Sequence, residues 1–280
     1  WESKLVLSYQ QNKVLKLPDN GIAKNRTGGI ALGDGTFFGG IAEGEPLNRF
    51  YGYVATGIIE TEEQAANANY DALSRLPQKG AKRVGDYEWA DRNGDGQITT
   101  ADQFCLGVTV PPFTGGLQNS FRLKNWTLSL YLDWATGHSI FDESYSRYFY
   151  GTFTNNYALA KDVLKAWKKP GDKTKYAKFY ANDSNWGNDN YNRRATNTFT
   201  YKGDYLCLRE ITLQYSLPSK LFTKVGLKGV TLTVSGNNLY YFTEVKGISP
   251  EAGSSTTYDG DVFYNYPPIR RFSFGVRLIF

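Results

Sequence analysis

From Arg271 to Phe280 the chain reads R-F-S-F-G-V-R-L-I-F, and this alternation limits the possible folds more than any other feature. In an extended strand successive side chains point to opposite faces, so Phe272, Phe274, Val276, Leu278 and Phe280 share one face. Arg271, Ser273, Gly275 and Arg277 share the other, with Ile279 the single exception. Such a strand meets apolar surroundings on one side only. A soluble sandwich strand meets that condition, and so does a barrel wall with lipid outside. Phe280 ends the strand in phase with the apolar face, as the last strand of an outer-membrane barrel usually does, and this favours the barrel.

The composition is compatible with that reading. Tyr (21), Phe (17), Trp (6) and Gly (29) are plentiful while 21% of the residues are charged, which suits all-β architecture. No run approaches the 18 or so apolar residues of a membrane helix, but barrel strands alternate and need no such run. Met is absent, so Trp1 is not a start residue, and the expectation is a chain lacking its N-terminal part; the same truncation accounts for the missing signal peptide. Lys and Arg are scattered and the net charge is only +5, which argues against a nucleic-acid groove.

Five further stretches alternate. Trp126, Leu128, Leu130, Leu132 and Trp134 oppose Thr127, Ser129, Tyr131 and Asp133. Eight steps at about 3.3 Å, tilted by about 40°, cover roughly 20 Å, near the height of a barrel's apolar band, with a Trp at each edge. Phe113–Leu123 precedes it across the two-residue connection Lys124-Asn125, a hairpin signal. Trp1–Gln11 places Leu5, Leu7 and Tyr9 against Lys4, Ser8 and Gln10. Ile211, Leu213, Tyr215 and Leu217 alternate with Thr212, Gln214 and Ser216, but Leu206 and Leu208 are out of phase, which predicts a bulge near Arg209. Gly229–Tyr241 alternates through Val230, Leu232 and Val234 and is expected to break at Gly236-Asn237-Asn238.

Six strands then have connections of two kinds. Lys124-Asn125 and Pro218–Lys228 are short, whereas about 13–112, 138–198 and 244–268 are long. Barrels keep short turns on the periplasmic side and long loops outside. With a periplasmic C-terminus, short and long alternate correctly at all five positions. Within the long loops, the capping box Thr61-Glu62-Glu63-Gln64 predicts a helix to about Leu76, and Ala158–Lys169 predicts another, stopped by Pro170-Gly171.

One motif carries ligand chemistry. Asp91, Asn93 and Asp95 have calcium-loop spacing, with Gly96 at the sharp turn, the Gln97 carbonyl, Thr99 and Asp102 completing an oxygen set. Position 12 is Asp102 rather than Glu, and no EF-hand helix pair flanks the loop. A solvated turn is the competing reading; a structural Ca²⁺ is the expectation. Gly28-Gly29 and Gly33-Asp34-Gly35 lack a following Gly-Lys-Ser/Thr and read as loop. His138, the one histidine, has no triad partner nearby in sequence, and no catalytic residue is expected. Cys105 and Cys207 are free thiols or one disulfide. Loop aromatics such as Tyr51, Tyr53 and Trp186 are able to stack on sugar rings, and loop packing explains them equally well.

Taken in order, G-E-P-L-N-R-F-Y-G-Y (44–53), D-R-N-G-D-G-Q-I (91–98), P-P-F-T-G-G (111–116), L-C-L-R-E-I-T-L-Q-Y-S-L-P (206–218), S-G-N-N-L-Y (235–240) and the ending from Tyr266 resemble SusC/RagA-type TonB-dependent transporters. The resemblance covers residues 1–280 as the C-terminal portion of such a protein. It implies a plugged outer-membrane β-barrel of about 22 strands, of which six lie here. It also implies long extracellular loops, a SusD-like lipoprotein lid, and TonB energy delivered through a plug that this chain lacks. The remaining partners would be membrane lipid and the rest of the same transporter. Import of a glycan, oligosaccharide or peptide is the function implied, without enzymatic chemistry. The alternative is a secreted all-β calcium module that binds carbohydrate.

Overall fold

The structure, a computed structural model, describes residues 1–28, 30–31, 37–38, 40–47, 49–72, 82–142, 145–146, 149, 159–180, 196–222, 226–251 and 268–280. Its strands, numbered along the chain, divide into long and short. The long ones are β1 (Glu2–Tyr9), β10 (Phe113–Leu123), β11 (Trp126–Thr136), β14 (Tyr205–Ser216), β15 (Gly229–Thr243) and β16 (Arg271–Ile279). The short ones are β2 (Ile30–Ala31), β3 (Phe37–Phe38), β4 (Arg49–Gly52), β5 (Ala55–Ile58), β6 (Tyr70–Asp71), β7 (Tyr87–Trp89), β8 (Gln97–Ile98), β9 (Phe104–Val108), β12 (Ser139–Phe141) and β13 (Thr200–Lys202).

The six long strands form one sheet in the order β1-β10-β11-β14-β15-β16, every pair antiparallel. This is the up-and-down meander expected from the connection lengths. Register carries the two faces across the whole sheet. Phe121, Leu128, Leu213, Val234 and Phe274 stand opposite one another in a single row. Glu2, Ser120, Ser129, Thr212, Ser235 and Ser273 make a neighbouring row on the other face. A slip of one residue in any pair would put one strand's apolar set among polar neighbours, so the alternation itself fixes the pairing. Leu5, Phe274 and Phe272 are 59%, 71% and 75% exposed, an apolar surface that the described residues of this chain leave uncovered.

Aromatic residues collect at both edges of that face. Trp126 packs on Tyr215 at 4.4 Å near the short turns, and Tyr9 packs on Phe113 at 4.6 Å near the long loops. Gly115 lies opposite Trp134, whose ring covers it so closely that a Cβ there would stand 2.2 Å from the indole. Only glycine lets the indole lie flat against the wall.

The expected bulge is present. The β11–β14 register shifts between Tyr131 and Leu132, leaving Arg209 unpaired between Leu208 and Glu210. β15 does not break at Gly236–Asn238; it runs continuously to Thr243. The local irregularity is absorbed by a register skip over Asn238 and Leu239, with Asn238 at φ 53°. Asn tolerates that left-handed backbone at low cost, so the strand kinks rather than stops.

Both expected helices are shorter than their sequence signals suggest. The capping box is formed, with Thr61 Oγ1 accepting from Gln64 N–H at 3.1 Å, but α1 spans only Glu62–Asn67. Ala68 is already extended, and Tyr70–Asp71 pairs in parallel with Gln97–Ile98. None of the helix's residues is buried, and a short helix without an apolar face gains too little to continue. Residues 73–76 lie outside the described residues. In place of the second helix, Lys161–Lys165 makes a 3₁₀ turn, after which Ala166 is extended and Trp167 N–H bonds to the Tyr176 carbonyl at 2.9 Å. Ala158 is outside the described residues.

Replacing Leu130 by Arg is expected to cost about 2–4 kcal/mol, because it puts a charge at the middle of the apolar band. Ser129→Arg, one residue away on the polar face, is expected to cost far less. Chemical unfolding of the full-length protein in lipid vesicles measures both.

Candidate functional site

The polar face of the sheet and the loops at its far end are where ligand chemistry can reside, since the apolar face carries few polar groups, chiefly Ser3 and Asn119 among its apolar rows. The most organised point on the polar face is the bulge. As the extra residue, Arg209 has a side chain free to reach sideways rather than straight out of the sheet. Its Nε and Nη2 grip both oxygens of Asp133 on β11 at 2.7 Å each. Nη1 donates to Asn238 Oδ1 at 2.8 Å and to the Tyr241 hydroxyl at 3.1 Å, both on β15. The second hydrogen of Nη2 goes to Glu251, which follows β15 and also accepts from the Tyr241 hydroxyl at 3.2 Å. All five guanidinium donors are used. The cluster ties three strands and the start of a loop to one side chain. The phase slip in the sequence located the bulge but did not reveal this role; Asp133 on the polar face, within reach of an unpaired Arg, was the available signal.

At the outer end, the two longest connections share a core. Phe50, Tyr53, Tyr87, Trp89 and Ile98 come from the segment between β1 and β10, and Phe141, Phe149, Ala166, Ala177 and Phe199 from the segment between β11 and β14. Trp89 and Tyr87 are 1% exposed, and Phe149 stacks on Tyr176 at 4.5 Å. Hydrogen bonds join the same segments: the Lys178 N–H donates to the Gly85 carbonyl at 2.8 Å, and the Tyr87 hydroxyl to the Lys175 carbonyl at 2.9 Å. At their seam lies an open groove of about 340 Å³, walled by β5, Glu60, Asp172, Thr174, Lys175 and Asn197. Tyr53 is in the shared core, 5.9 Å from Trp89, so packing accounts for it; Trp186 is outside the described residues.

His138 lies just beyond the end of β11 and is buried. Gly203 leaves room for the imidazole, since a Cβ there would come within 2.3 Å of Nε2. Nε2 faces the Pro250 carbonyl at 3.3 Å and donates to it in the neutral tautomer, while Nδ1 has no partner. Burial pulls the imidazole pKa below its ordinary value, against the smaller opposing effects of the Pro250 carbonyl and Asp204.

The Asp91 loop is closed by its own carboxylates. Asp91 accepts from Gly94 N–H at 2.7 Å and Gly96 N–H at 2.8 Å, and Asp95 accepts from Gln97 N–H at 2.8 Å. Asn93 Oδ1 accepts from Asp95 N–H at 3.1 Å. Asp102 is fully buried beneath the loop, its oxygens accepting from Arg92 N–H at 2.9 Å, Thr99 N–H at 2.7 Å and the Thr99 hydroxyl at 3.1 Å. Among the described residues no three carboxylate, imidazole or thiolate groups converge as a metal cage. Tyr70 N–H bonds to the Gly96 carbonyl at 3.0 Å, so the loop also anchors β6. Cys105 is exposed and Cys207 buried, and both are free thiols.

A two-faced antiparallel meander with short turns at one end and packed loops at the other defines part of an outer-membrane barrel wall. Comparison with known proteins gives the class its name. No family model matches the chain. TonB-dependent receptor P3 of Formosa agariphila is 29% identical over the whole chain, which covers 27% of that receptor. TonB-dependent receptor P39 of the same organism is 29% identical over 91% of the chain and 26% of its own length. The chain thus spans about a quarter of the curated relatives it matches. Among solved structures, the RagAB peptide transporter superposes with a TM-score of 0.70 at 18% identity, covering 99% of this chain and 26% of that one. The RagAB peptide importer in its open-open state gives 0.67 at 20% identity, with 99% and 26% covered. The fold is that of a TonB-dependent receptor barrel, and the curated relatives over the chain's full length are TonB-dependent receptors.

The buried His138 makes a pH dependence predictable. The unfolded imidazole takes up a proton near pH 6.5, the folded one only at lower pH, so unfolding binds a proton in that window. The contribution of His138 is therefore complete above the ordinary imidazole range and is lost as the pH falls through the lowered pKa of the folded ring. Thermal unfolding of the detergent-solubilised full-length protein should show this fall, and His138→Gln should flatten it.

Proposed function

We propose that this chain is the C-terminal part of the barrel wall and outer loops of a TonB-dependent outer-membrane importer of nutrients. The observation that carries the reading is the apolar face that runs across all six strands, interrupted chiefly at Ser3 and Asn119, opposite a polar face of the same extent. A secreted module has no use for that exposed apolar surface. The polar face lines the lumen, the packed loops stand outside the cell, and plug and TonB contact belong to the rest of the same transporter. The cargo is a glycan, oligosaccharide or peptide; the structural likeness to a complex described as a peptide transporter supports the peptide. Chemistry is limited to binding and passage, with no catalytic residue.

The shared core of the loops supports the further proposal that they form one docking surface for a SusD-like surface lipoprotein. Trp89→Ala removes a fully packed indole and is expected to cost the loop core about 3–5 kcal/mol. Affinity purification of the full-length variant should then recover less lipoprotein while its surface level stays unchanged. Undiminished lipoprotein recovery with a demonstrably unpacked loop core would overturn the docking proposal.

The Asp91 loop is proposed to hold a structural Ca²⁺ through Asp91, Asn93, Asp95 and the Gln97 carbonyl, with Thr99 and Asp102 completing the shell. The residues fit as hard oxygen donors: the Asp91, Asn93 and Asp95 oxygens and Asp102 Oδ1 each engage one N–H and keep a second lone pair, whereas Asp102 Oδ2 already accepts from both the Thr99 N–H and its hydroxyl. Bound there, the ion would neutralise the Asp91–Asp95 repulsion and stiffen the anchor of β6. Calorimetric titration of calcium into the chelator-treated full-length protein should show binding at roughly 10⁻⁴–10⁻³ M, abolished in Asp95→Ala. Absence of binding would leave the loop a self-closed turn.

A further inference from the structure

In the outer loops, β5 pairs with β7 on one side, and among the described residues no strand pairs with its other edge. The alternation of an antiparallel ladder decides which groups face that open edge. Ile59 N–H bonds to the Asp86 carbonyl at 2.9 Å, and the Ile59 carbonyl accepts from Gly85 N–H at 2.7 Å, so both groups of Ile59 turn toward the β7 side. One residue back, opposite Tyr87, Ile58 therefore turns its N–H and C=O outward together. Thr56 and Gly57 beside it are exposed.

The same edge already takes an extended segment at its start. Tyr53 makes a parallel bridge with Thr196, Asn197 N–H bonds to the Tyr53 carbonyl at 3.3 Å, and Asn197 Oδ1 accepts from Ala55 N–H at 3.0 Å. Beyond Ala55 the edge opens into the groove of about 340 Å³, a volume at the lower end of ligand sites.

The far wall of the groove is charged at its two ends. At the Ile58 end stand Glu60 and Asp172, brought together by the bond from Gly171 N–H to Glu60 Oε2 at 3.2 Å. The bonds from Lys168 and Lys169 N–H hold the Asp172 carboxyl below the usual carboxylate range. At the Ala55 end stands Lys175, whose Nζ donates to the Thr198 carbonyl at 3.0 Å, a bond that uses one of its three hydrogens. Burial pulls the Lys175 pKa down, and a carboxylate arriving there would offset that cost. Among the described residues of the wall the one aromatic is Tyr87, which is 1% exposed and gives a sugar ring no face to stack on.

We propose that this groove is a binding site for a short extended peptide with free termini, which adds as an antiparallel strand to the open edge of β5. The peptide's ammonium meets Glu60 and Asp172, its carboxylate meets Lys175, and one residue between them exchanges both backbone bonds with Ile58. Charge fixes the direction, because an N-terminus at the Ile58 end makes the peptide run opposite to β5. From Ala55 to Glu60 the edge covers roughly 16 Å at about 3.3 Å per residue, room for about four or five peptide residues. The site needs only the shared loop core, and it stands whether or not the bound peptide passes through the barrel.

The probe is zwitterionic tetraalanine, titrated into the purified full-length protein in detergent and followed by calorimetry and by hydrogen exchange. Binding should slow exchange of the amides of 55–58 at least about tenfold, with β14, β15 and β16 unchanged. Ile58→Pro removes the outward N–H but no bond to β7, so it should weaken binding at least about tenfold without lowering the unfolding temperature. Glu60→Gln keeps an acceptor for Gly171 N–H and loses only the charge. It should weaken tetraalanine at least about fivefold and leave the weaker binding of N-acetyl-tetraalanine unchanged. Absence of binding, or protection confined to segments other than 55–58, would overturn the proposal. So would an equal response of the free and acetylated peptides to Glu60→Gln, or tighter binding of maltotetraose at the same amides.

Discussion

Inside a bilayer, backbone N–H and C=O groups have no water to bond, so a spanning strand must find both neighbours within the protein. The large sheet meets that demand while keeping one face almost wholly apolar. Strict alternation fixes the face, the face fixes the register, and the register fixes which polar residues meet across the polar face. The rows from Phe121 to Phe274 and from Glu2 to Ser273 are one arrangement seen from its two sides.

The bulge at Arg209 shows how the wall gains a chemical feature without breaking this rule. An extra residue on β14 and the skip at Asn238–Leu239 on β15 reset the phase, so Leu206 and Leu208 remain on the same face as Ile211 and Leu213. The inserted side chain is then released from straight alternation, as are Asn238 and Leu239 across from it. It is also a cation, and it serves as the junction between wall and loop.

The strands were legible because their code is local and has period two. Trp126–Trp134 needs no partner to be recognised, and the conflict between Leu208 and Ile211 was enough to place the bulge. The loops were legible only in fragments. Thr61 and Gln64 correctly marked a helix start, but its end was decided by β8, whose pairing with Tyr70–Asp71 competes with another turn of helix. Likewise, Trp167 lies at helical spacing from Val163, yet it is buried with its N–H on the Tyr176 carbonyl and its ring beside Gly85, neither of them helical neighbours. The Asp91 spacing pointed to a calcium loop; the structure shows the loop closed by its own carboxylates, and the burial of Asp102 depends on backbone geometry that composition does not encode.

The shared aromatic core has a consequence for assembly. Its two contributing segments flank the β10–β11 hairpin, so Trp89 and Phe199 come together only after 113–136 has doubled back on itself. Closing so long a loop is entropically costly unless nearer contacts have already shortened it. The hairpin does that shortening. Burial of Trp89 therefore comes late and acts as a timer: a protease that spares the mature loops finds them open for as long as the wall is unfinished.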